Sequence, residues 1–314
     1  SFIILKPWYL TTWMIILYAI AAIISIFGII MAYTKKLKNE NIRLEGIVAE
    51  RTAVVVKQKE ELESSIHYAS RIQMALLPSQ AILSENIKNY FVLFKPRDIV
   101  SGDFYWIKQV KHFIILVSAD CTGHGVPGAL MSMLGISFLN EIVQRREITQ
   151  ADHVLNELRK QIKHSLRQSG KLEESRDGID IALCVIDTKK NIMQYAGANN
   201  PLYIISNSNG ESVLKEIKAD LMPVGVHFSS DKTFTNHEIQ LEIGDTFYIS
   251  TDGFIDQTGG SNKTRFGSNN FRKLLLEIHD NPLFEQKKIL QQTLTAWMGN
   301  NPQRDDILVI GARL

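Results

Sequence analysis

Cysteine is scarce: Cys121 and Cys184 are the only two in 314 residues. They can form one bridge at most. A disulfide scaffold and a four-thiolate zinc site are therefore excluded, and a reducing compartment is expected around them. Surplus charge is missing too. The 35 basic and 33 acidic side chains leave a formal +2, too little for a polyanion binder, whose basic excess gathers on one face. No nucleic-acid partner is expected. Internal repeats and low-complexity tracts are absent, and a chain 45% hydrophobic and 22% charged is set to bury at least one large core rather than remain disordered.

A local absence says more. Between Lys6 and Lys35 no residue is charged, and Leu10–Tyr33 reads LTTWMIILYAIAAIISIFGIIMAY. As a helix this stretch would be roughly 36 Å long, enough for a hydrocarbon core of about 30 Å. A buried core helix rarely stays apolar on every side for so long, and a signal peptide would be shorter with a small-residue cleavage site. One transmembrane helix over residues 10–33 is the expectation. Trp8, Tyr9, Trp13 and Tyr33 stand at its ends as interfacial aromatics do. Lys35, Lys36 and Lys38 assign the following chain to the cytoplasm, with the helix as a single-pass anchor. Residues 1–9 are then the tail of an extracytoplasmic segment whose body lies upstream of Ser1.

From Thr34 to Leu76 there is no proline and one glycine. Val48, Val55, Leu62 and Ala69 recur at heptad spacing, with Leu44 and Ile72 on the companion seam and Asn41, Arg51, Gln58 and Ser65 interrupting it. A coiled coil that makes the chain a parallel homodimer is one reading; a solvated single-helix spacer is the other. The β-branched run Thr52–Val56 lowers helix propensity. Pro78 closes the segment.

Residues 77–314 are expected to form one mixed domain. Strands are predicted at Tyr90–Phe94, Asp103–Ile107, His112–Ala119, Asp180–Ile186, Ile192–Ala196, Leu202–Ile205, Phe234–Leu241, Thr246–Ser250 and Ile307–Ala312. Helices are predicted at Pro127–Arg146, Ala151–Gln168, Asn269–Ile278 and Leu283–Met298. Strands joined by short turns, with helices in pairs, indicate a layered antiparallel sandwich of the α+β class rather than repeated βαβ units.

Four carboxylates lie where an apolar strand begins or ends. Asp103 opens DFYWI and Asp120 closes FIILVSAD, so an antiparallel hairpin puts both at one edge. Asp252 ends TFYISTD and Asp305 begins DDILVIG, and pairing of those strands does the same. Four acids at one edge repel one another. Divalent cations resolve the conflict, and oxygen-only ligation favours Mg²⁺ or Mn²⁺, which activate water for attack on phosphorus. Glycines 102, 123, 125, 128 and 253 beside these acids let the backbone turn sharply.

Six segments carry a resemblance: VSGDFYW (100–106), ADCTGHGVPGALMSMLG (119–135), DGIDIALCVID (177–187), YAGANNPLY (195–203), ISTDGFIDQTGG (249–260) and QRDDILVIGARL (303–314). In this order they resemble the bacterial SpoIIE/RsbU-type branch of the PPM (PP2C-like) serine/threonine phosphatases. The membrane helix, charged connector and YASRIQMALLP junction resemble sensor phosphatases, with FIILKPWYLTTW similar to the tail of a beta-propeller-type sensor module. The resemblance implies a PP2C-like α-β-β-α sandwich, a centre of two Mn²⁺ or Mg²⁺ ions, and hydrolysis of phosphoserine or phosphothreonine on a regulatory protein such as an anti-sigma-factor antagonist.

By motif position, the resemblance implies that Asp120 bridges the two ions and the Cys121 carbonyl ligates one. Asp103, Asp252 and Asp305 complete the site directly or through water, with Asp305 preferred to Asp306. Gly253 gives room at the second ion. His124 is close to a position some relatives use as a general acid, in a loop longer by a Cys and a Thr, or else is a structural loop residue. Arg97 is read as solvated surface, Asp98 and Asp256 as turn or surface residues, and the Cys121 thiol as no nucleophile. Two other functions stand against this one. A non-catalytic phosphoprotein-binding scaffold would be expected to have lost an acid, and a nucleotide cyclase or phosphodiesterase would be expected to show a base pocket or His-rich ligation.

Overall fold

The central strands of this protein are apolar on both faces because each sheet is covered on both sides. In the computed structural model, described over residues 7–145, 149–169, 176–208, 211–227 and 232–313, the chain forms two units, Ser1–Ser65 and Ile66–Leu314.

The first unit holds a 3₁₀ turn at Trp8–Leu10 and most of helix α1, Thr12–Leu76, whose last residues belong to the second. The expected membrane helix, from residue 12 on, and the connector fall in α1, while Leu10 belongs to the 3₁₀ turn; of the expected extracytoplasmic tail, residues 1–6 lie outside the described residues. An 18-residue window of α1 reaches a mean hydropathy of 2.7 with none of it buried. The hydroxyls of Ser25 and Thr34 turn back onto the Ala21 and Ile30 carbonyls at 2.8 and 2.9 Å, so neither polar group is left unpaired in the apolar stretch. Further on, Lys57–Glu61 and Lys59–Glu63 pair one turn apart. The Thr52–Val56 run does not interrupt the helix.

The second unit contains α2 (Gln80–Asn86) and two antiparallel sheets. One has the order β1 (Asn89–Lys95), β13 (Ile307–Arg313), β10 (Thr246–Ser250), β6 (Leu202–Ser208), β7 (Glu211–Ile217). The other runs β2 (Phe104–Val110), β3 (Phe113–Cys121), β4 (Gly178–Asp187), β5 (Ile192–Ala198), β9 (His237–Gln240), with β8 (Val224–Gly225) beside β4. On the outer face of this second sheet lie α3 (Gly125–Leu139) and α4 (Ala151–Ser165); on the outer face of the first lie α6 (Ser268–Ile278) and α7 (Leu283–Met298). A four-residue α5 (Gly253–Asp256) and a small hairpin, β11 (Thr258–Gly259) with β12 (Thr264–Arg265), follow β10.

Strand periodicity divides each strand between two cores. In β3, Ile115, Val117 and Ala119 meet α3 and α4, while Ile114 and Leu116 face the opposite sheet. In β13, Leu308, Ile310 and Ala312 face inward, while Ile307 and Val309 pack with Phe271, Leu275 and Leu290 of the outer helices. This is an α-β-β-α sandwich, as the sequence implied. The helical stretch Gly125–Arg145 is also long and apolar, with a mean hydropathy of 1.5 in its most apolar part, but half of that part is buried; Ile136 and Leu139 place it in the core.

Differences from expectation are local. The helix predicted to Arg146 changes to a π-helical turn at Asn140–Arg145. The strand predicted from Phe234 begins at His237, since Phe234 is buried under the Arg159 guanidinium, 4.0 Å from its ring centre. Strand β7 and helix α2 were not predicted.

Candidate metal centre

Register brings the acids together. Phe104 pairs with Ala119, so Asp103, just before β2, faces Asp120 near the end of β3. Ser250 pairs with Val309, so Asp252 and Asp305 flank the same end of the β10–β13 pair. Each sheet contributes one pair of acids.

Close backbone packing joins them. A Cβ on Gly102 would stand 2.7 Å from the Gly123 carbonyl oxygen and 3.2 Å from that of Cys121, and one on Gly128 would stand 2.2 Å from the Gly123 oxygen. Only glycine lets the chain before Asp103, the loop after Asp120 and the first turn of α3 lie against one another. A Cβ on Gly253 would fall 1.8 Å from the Asp306 carbonyl oxygen, so glycine is also what allows Asp252 to approach the Asp305 loop.

Around a cavity of about 280 Å³ stand Asp120, Cys121, Thr122, Gly123, His124, Asp180 and Asp305. Asp103 is fully buried, and its Oδ2 accepts from Thr251 Oγ1 at 2.6 Å. Burial holds its carboxyl well above the ordinary range, and Asp120 pushes it further. Asp120 is raised to about 8 by burial and by Asp252, Asp305 and Asp180. Asp252 is raised to about 6 by burial, Asp256 and Asp305, while Arg265 opposes the shift. In a metal-free site these groups would hold protons that ordinary aspartates release.

Asp306 has a different environment from Asp305. Its Oδ1 accepts from the Arg97 amide and its Oδ2 from the Gly102 amide, both at 2.7 Å, and it is 3% exposed. It binds the loop before β2 to the start of β13. Asp305 lines the cavity and accepts one backbone bond, from the Asp306 amide at 2.9 Å. Arg97 is not simply solvated: its Nη1 donates to the Arg304 carbonyl at 3.0 Å. Asp98 lies 3.3 Å from His124 Nδ1, so the histidine borders the cavity with a carboxylate behind it. Thr122 fastens the extra length of this loop to Gly178 of β4, donating its amide at 3.0 Å and accepting the Gly178 amide at 3.0 Å. Asp256 carries an ion pair with Arg265 at 2.8 Å. Burial, followed by the surrounding acids, drives the Cys121 thiol pKa upward, which disfavours the thiolate.

Three site residues escaped the sequence reading. Asp180 pairs in register with Asp120, lines the same cavity and is held by Asn199 Nδ2 at 2.8 Å. It too begins an apolar strand, so the criterion that selected the other acids applied to it. Thr251 and Gln73 gave no such signal.

Among the described residues no three His, Cys, Asp or Glu side chains form a ready-made ion cage. The donor set nevertheless fits hard divalent cations: carboxylate and carbonyl oxygens, with mutual repulsion that a cation relieves.

A family model described as Stage II sporulation protein E (SpoIIE) matches residues 111–314. The chain belongs to the SpoIIE family. Its SpoIIE-type domain is a PP2C-like serine/threonine phosphatase domain. The SiaA-PP2C domain of Pseudomonas aeruginosa is similar at 34% identity and a TM-score of 0.72, over 82% of this chain and 98% of that one. The PP2C phosphatase domain of SpoIIE from Bacillus subtilis, with a fragment of its regulatory domain, shares the fold at 16% identity and a TM-score of 0.57, over 72% of this chain and 63% of that one. The RsbU and RsbW domains of Rv1364c from Mycobacterium tuberculosis share it at 18% identity and 0.56, over 72% and 59%. No curated protein matches the chain. Asp120, Asp180, Asp252 and Asp305 fall inside the SpoIIE match; Asp103 precedes it by eight residues.

Proposed function

We propose that the protein is a membrane-anchored, divalent-metal-dependent phosphatase that removes phosphate from serine or threonine of a regulatory phosphoprotein. The observation that carries this reading is the set of mutually repelling aspartates at the meeting ends of two sheets, with Asp120 raised to about 8, in a SpoIIE-family domain. Two Mn²⁺ or Mg²⁺ ions, when bound, supply Lewis acidity toward the phosphoryl oxygens and water. Asp103, Asp120, Asp252, Asp305 and the Cys121 carbonyl would hold these ions, directly or through water. Thr251 orients the Asp103 carboxyl. Asp306 and the glycines hold the backbone in place, and the open cavity mouth admits a phosphorylated side chain.

The anchor is the apolar part of α1, residues 12–33, with Leu10 in the turn before it. Its apolar side chains are exposed on all sides, among them the consecutive Ile15, Ile16, Leu17 and Tyr18, and lysines follow it. The connector pairs two copies of the chain through Leu44, Val48, Val55 and Leu62, all of them more than half exposed along α1. Activity is set through the order of residues 65–76 against the phosphatase domain, and that domain faces the cytoplasm of a bacterial inner membrane. An anti-sigma-factor antagonist is the class of substrate that the resemblance to RsbU-type phosphatases suggests.

The test is phosphate release from phosphoserine peptides and p-nitrophenyl phosphate by the full chain in detergent. Release that requires added Mn²⁺ and stops with chelator supports the reading. A chain that binds Mn²⁺ but releases no phosphate from any phosphoester overturns it in favour of a binding scaffold.

A further inference from the structure

Gln73 lies in the final turn of α1, within the second unit, and is 3% exposed. Its Nε2 donates to the Ser101 carbonyl at 2.5 Å and to Ser132 Oγ at 2.8 Å, and its Oε1 accepts the Ser101 amide at 3.1 Å. A side-chain amide thus meets both main-chain polar groups of one residue, as a neighbouring strand would. Ser101 is fully buried and precedes β2. Without Gln73 the Ser101 amide would have no partner and its carbonyl only the long 3.5 Å contact from Ser132, a costly state for buried backbone.

The next two residues are held in the same manner by other side chains. The Gly102 amide donates to Asp306, and the Asp103 carboxyl accepts from Thr251. Three consecutive residues are therefore fixed by side chains from three different segments. Gly102 packs against the Gly123 and Cys121 carbonyls with no room for a Cβ, so displacement of Ser101 is passed to the loop that follows Asp120. Ser132, the other partner of Gln73, sits on α3 directly after that loop and donates to the Ala129 carbonyl at 2.8 Å.

We infer that Gln73 is a positioning residue of the metal centre: its amide fixes the Ser101 peptide, and through it the approach of Asp103 to Asp120. The inference rests on the metal-centre reading above. Residues that orient ligands from behind typically change metal affinity by about 10- to 100-fold when replaced, whereas a residue needed only for packing lowers thermal stability and leaves the affinity of the folded protein unchanged.

The experiment uses the full chain in detergent and two variants. Gln73→Met keeps the length and loses every hydrogen bond. Gln73→Glu keeps an acceptor for the Ser101 amide and loses the donor, which retains a folded protein should the methionine variant fail. Two quantities are read: Mn²⁺ affinity by calorimetry, and amide hydrogen exchange of the peptide covering residues 100–104 without metal. The expected result is Mn²⁺ binding weakened at least about tenfold, with faster exchange at 100–104 and activity that recovers as Mn²⁺ is raised. Wild-type affinity and unchanged exchange at 100–104 in the folded variants, with a lower melting temperature alone, would overturn the inference. If the wild type itself takes up no Mn²⁺, the metal-centre reading fails, and exchange at 100–104 then decides whether Gln73 positions this segment.

Discussion

The carboxyls of Asp103, Asp120 and Asp252 are all raised, and for each the leading cause is burial, followed by neighbouring acids. The sign of the stability effect follows. A group whose folded pKa exceeds its unfolded value binds more protons when folded, so its contribution is present below the unfolded pKa and lost as pH rises through the folded one. Metal-free protein should therefore lose melting temperature between the ordinary value of 3.8 and about 8, the value for Asp120. Saturating Mn²⁺ should remove most of that slope; a metal-free profile that rises over this range would contradict the electrostatic account. Asp120→Asn should reduce turnover by at least about a thousandfold while melting no lower than metal-free wild type at pH 8, because it removes a repelling charge. Full activity in that variant would refute the role given to Asp120. At this scale the sequence showed what a strand end can show: Asp103, Asp120, Asp252 and Asp305 each border an apolar run. Gln73 was hidden because its partners, Ser101 and Ser132, are brought to it only by tertiary packing. The resemblance preferred Asp305 to Asp306 by motif position, and the physical difference between them is the two amides that the Asp306 carboxylate accepts.

At the scale of elements, β3, β4 and β13 were plain in the sequence because their residues are buried on both faces and read as unbroken apolar runs. Strand β7 was missed because alternate residues are exposed and it forms a sheet edge, leaving a polar, charged segment with little strand signal. The short α5 was missed as well, since four residues carry no periodicity. Its position depends on Gly253. Gly253→Ala would drive a methyl group into the Asp306 carbonyl, and overpacking of this kind costs about 1–3 kcal/mol. The expected result in denaturant unfolding is a loss of that size, with weakened Mn²⁺ binding because Asp252 moves with the turn. Unchanged stability and binding would show that the site does not need this close approach.

For the whole molecule, the balanced net charge hides unlike segments: a charge-free stretch, a lysine cluster after it and an acidic cavity in the domain. The sequence could suggest pairing of the connector but not decide it, since the heptad positions Arg51, Gln58 and Ser65 are polar. Leu62 is 62% exposed on α1, so Leu62→Glu leaves a lone helix undisturbed and disrupts a paired one. Analytical ultracentrifugation in detergent should show a dimer converted to a monomer by this change; a wild-type monomer would leave the connector as a single-helix spacer. The account depends above all on two ions held by the aspartate cluster. An anomalous-scattering map from crystals soaked in Mn²⁺ tests this directly. The expected map has two peaks, both beside Asp120, with Asp103, Asp252, Asp305 and the Cys121 carbonyl around them; a map with no peak among these residues would contradict it.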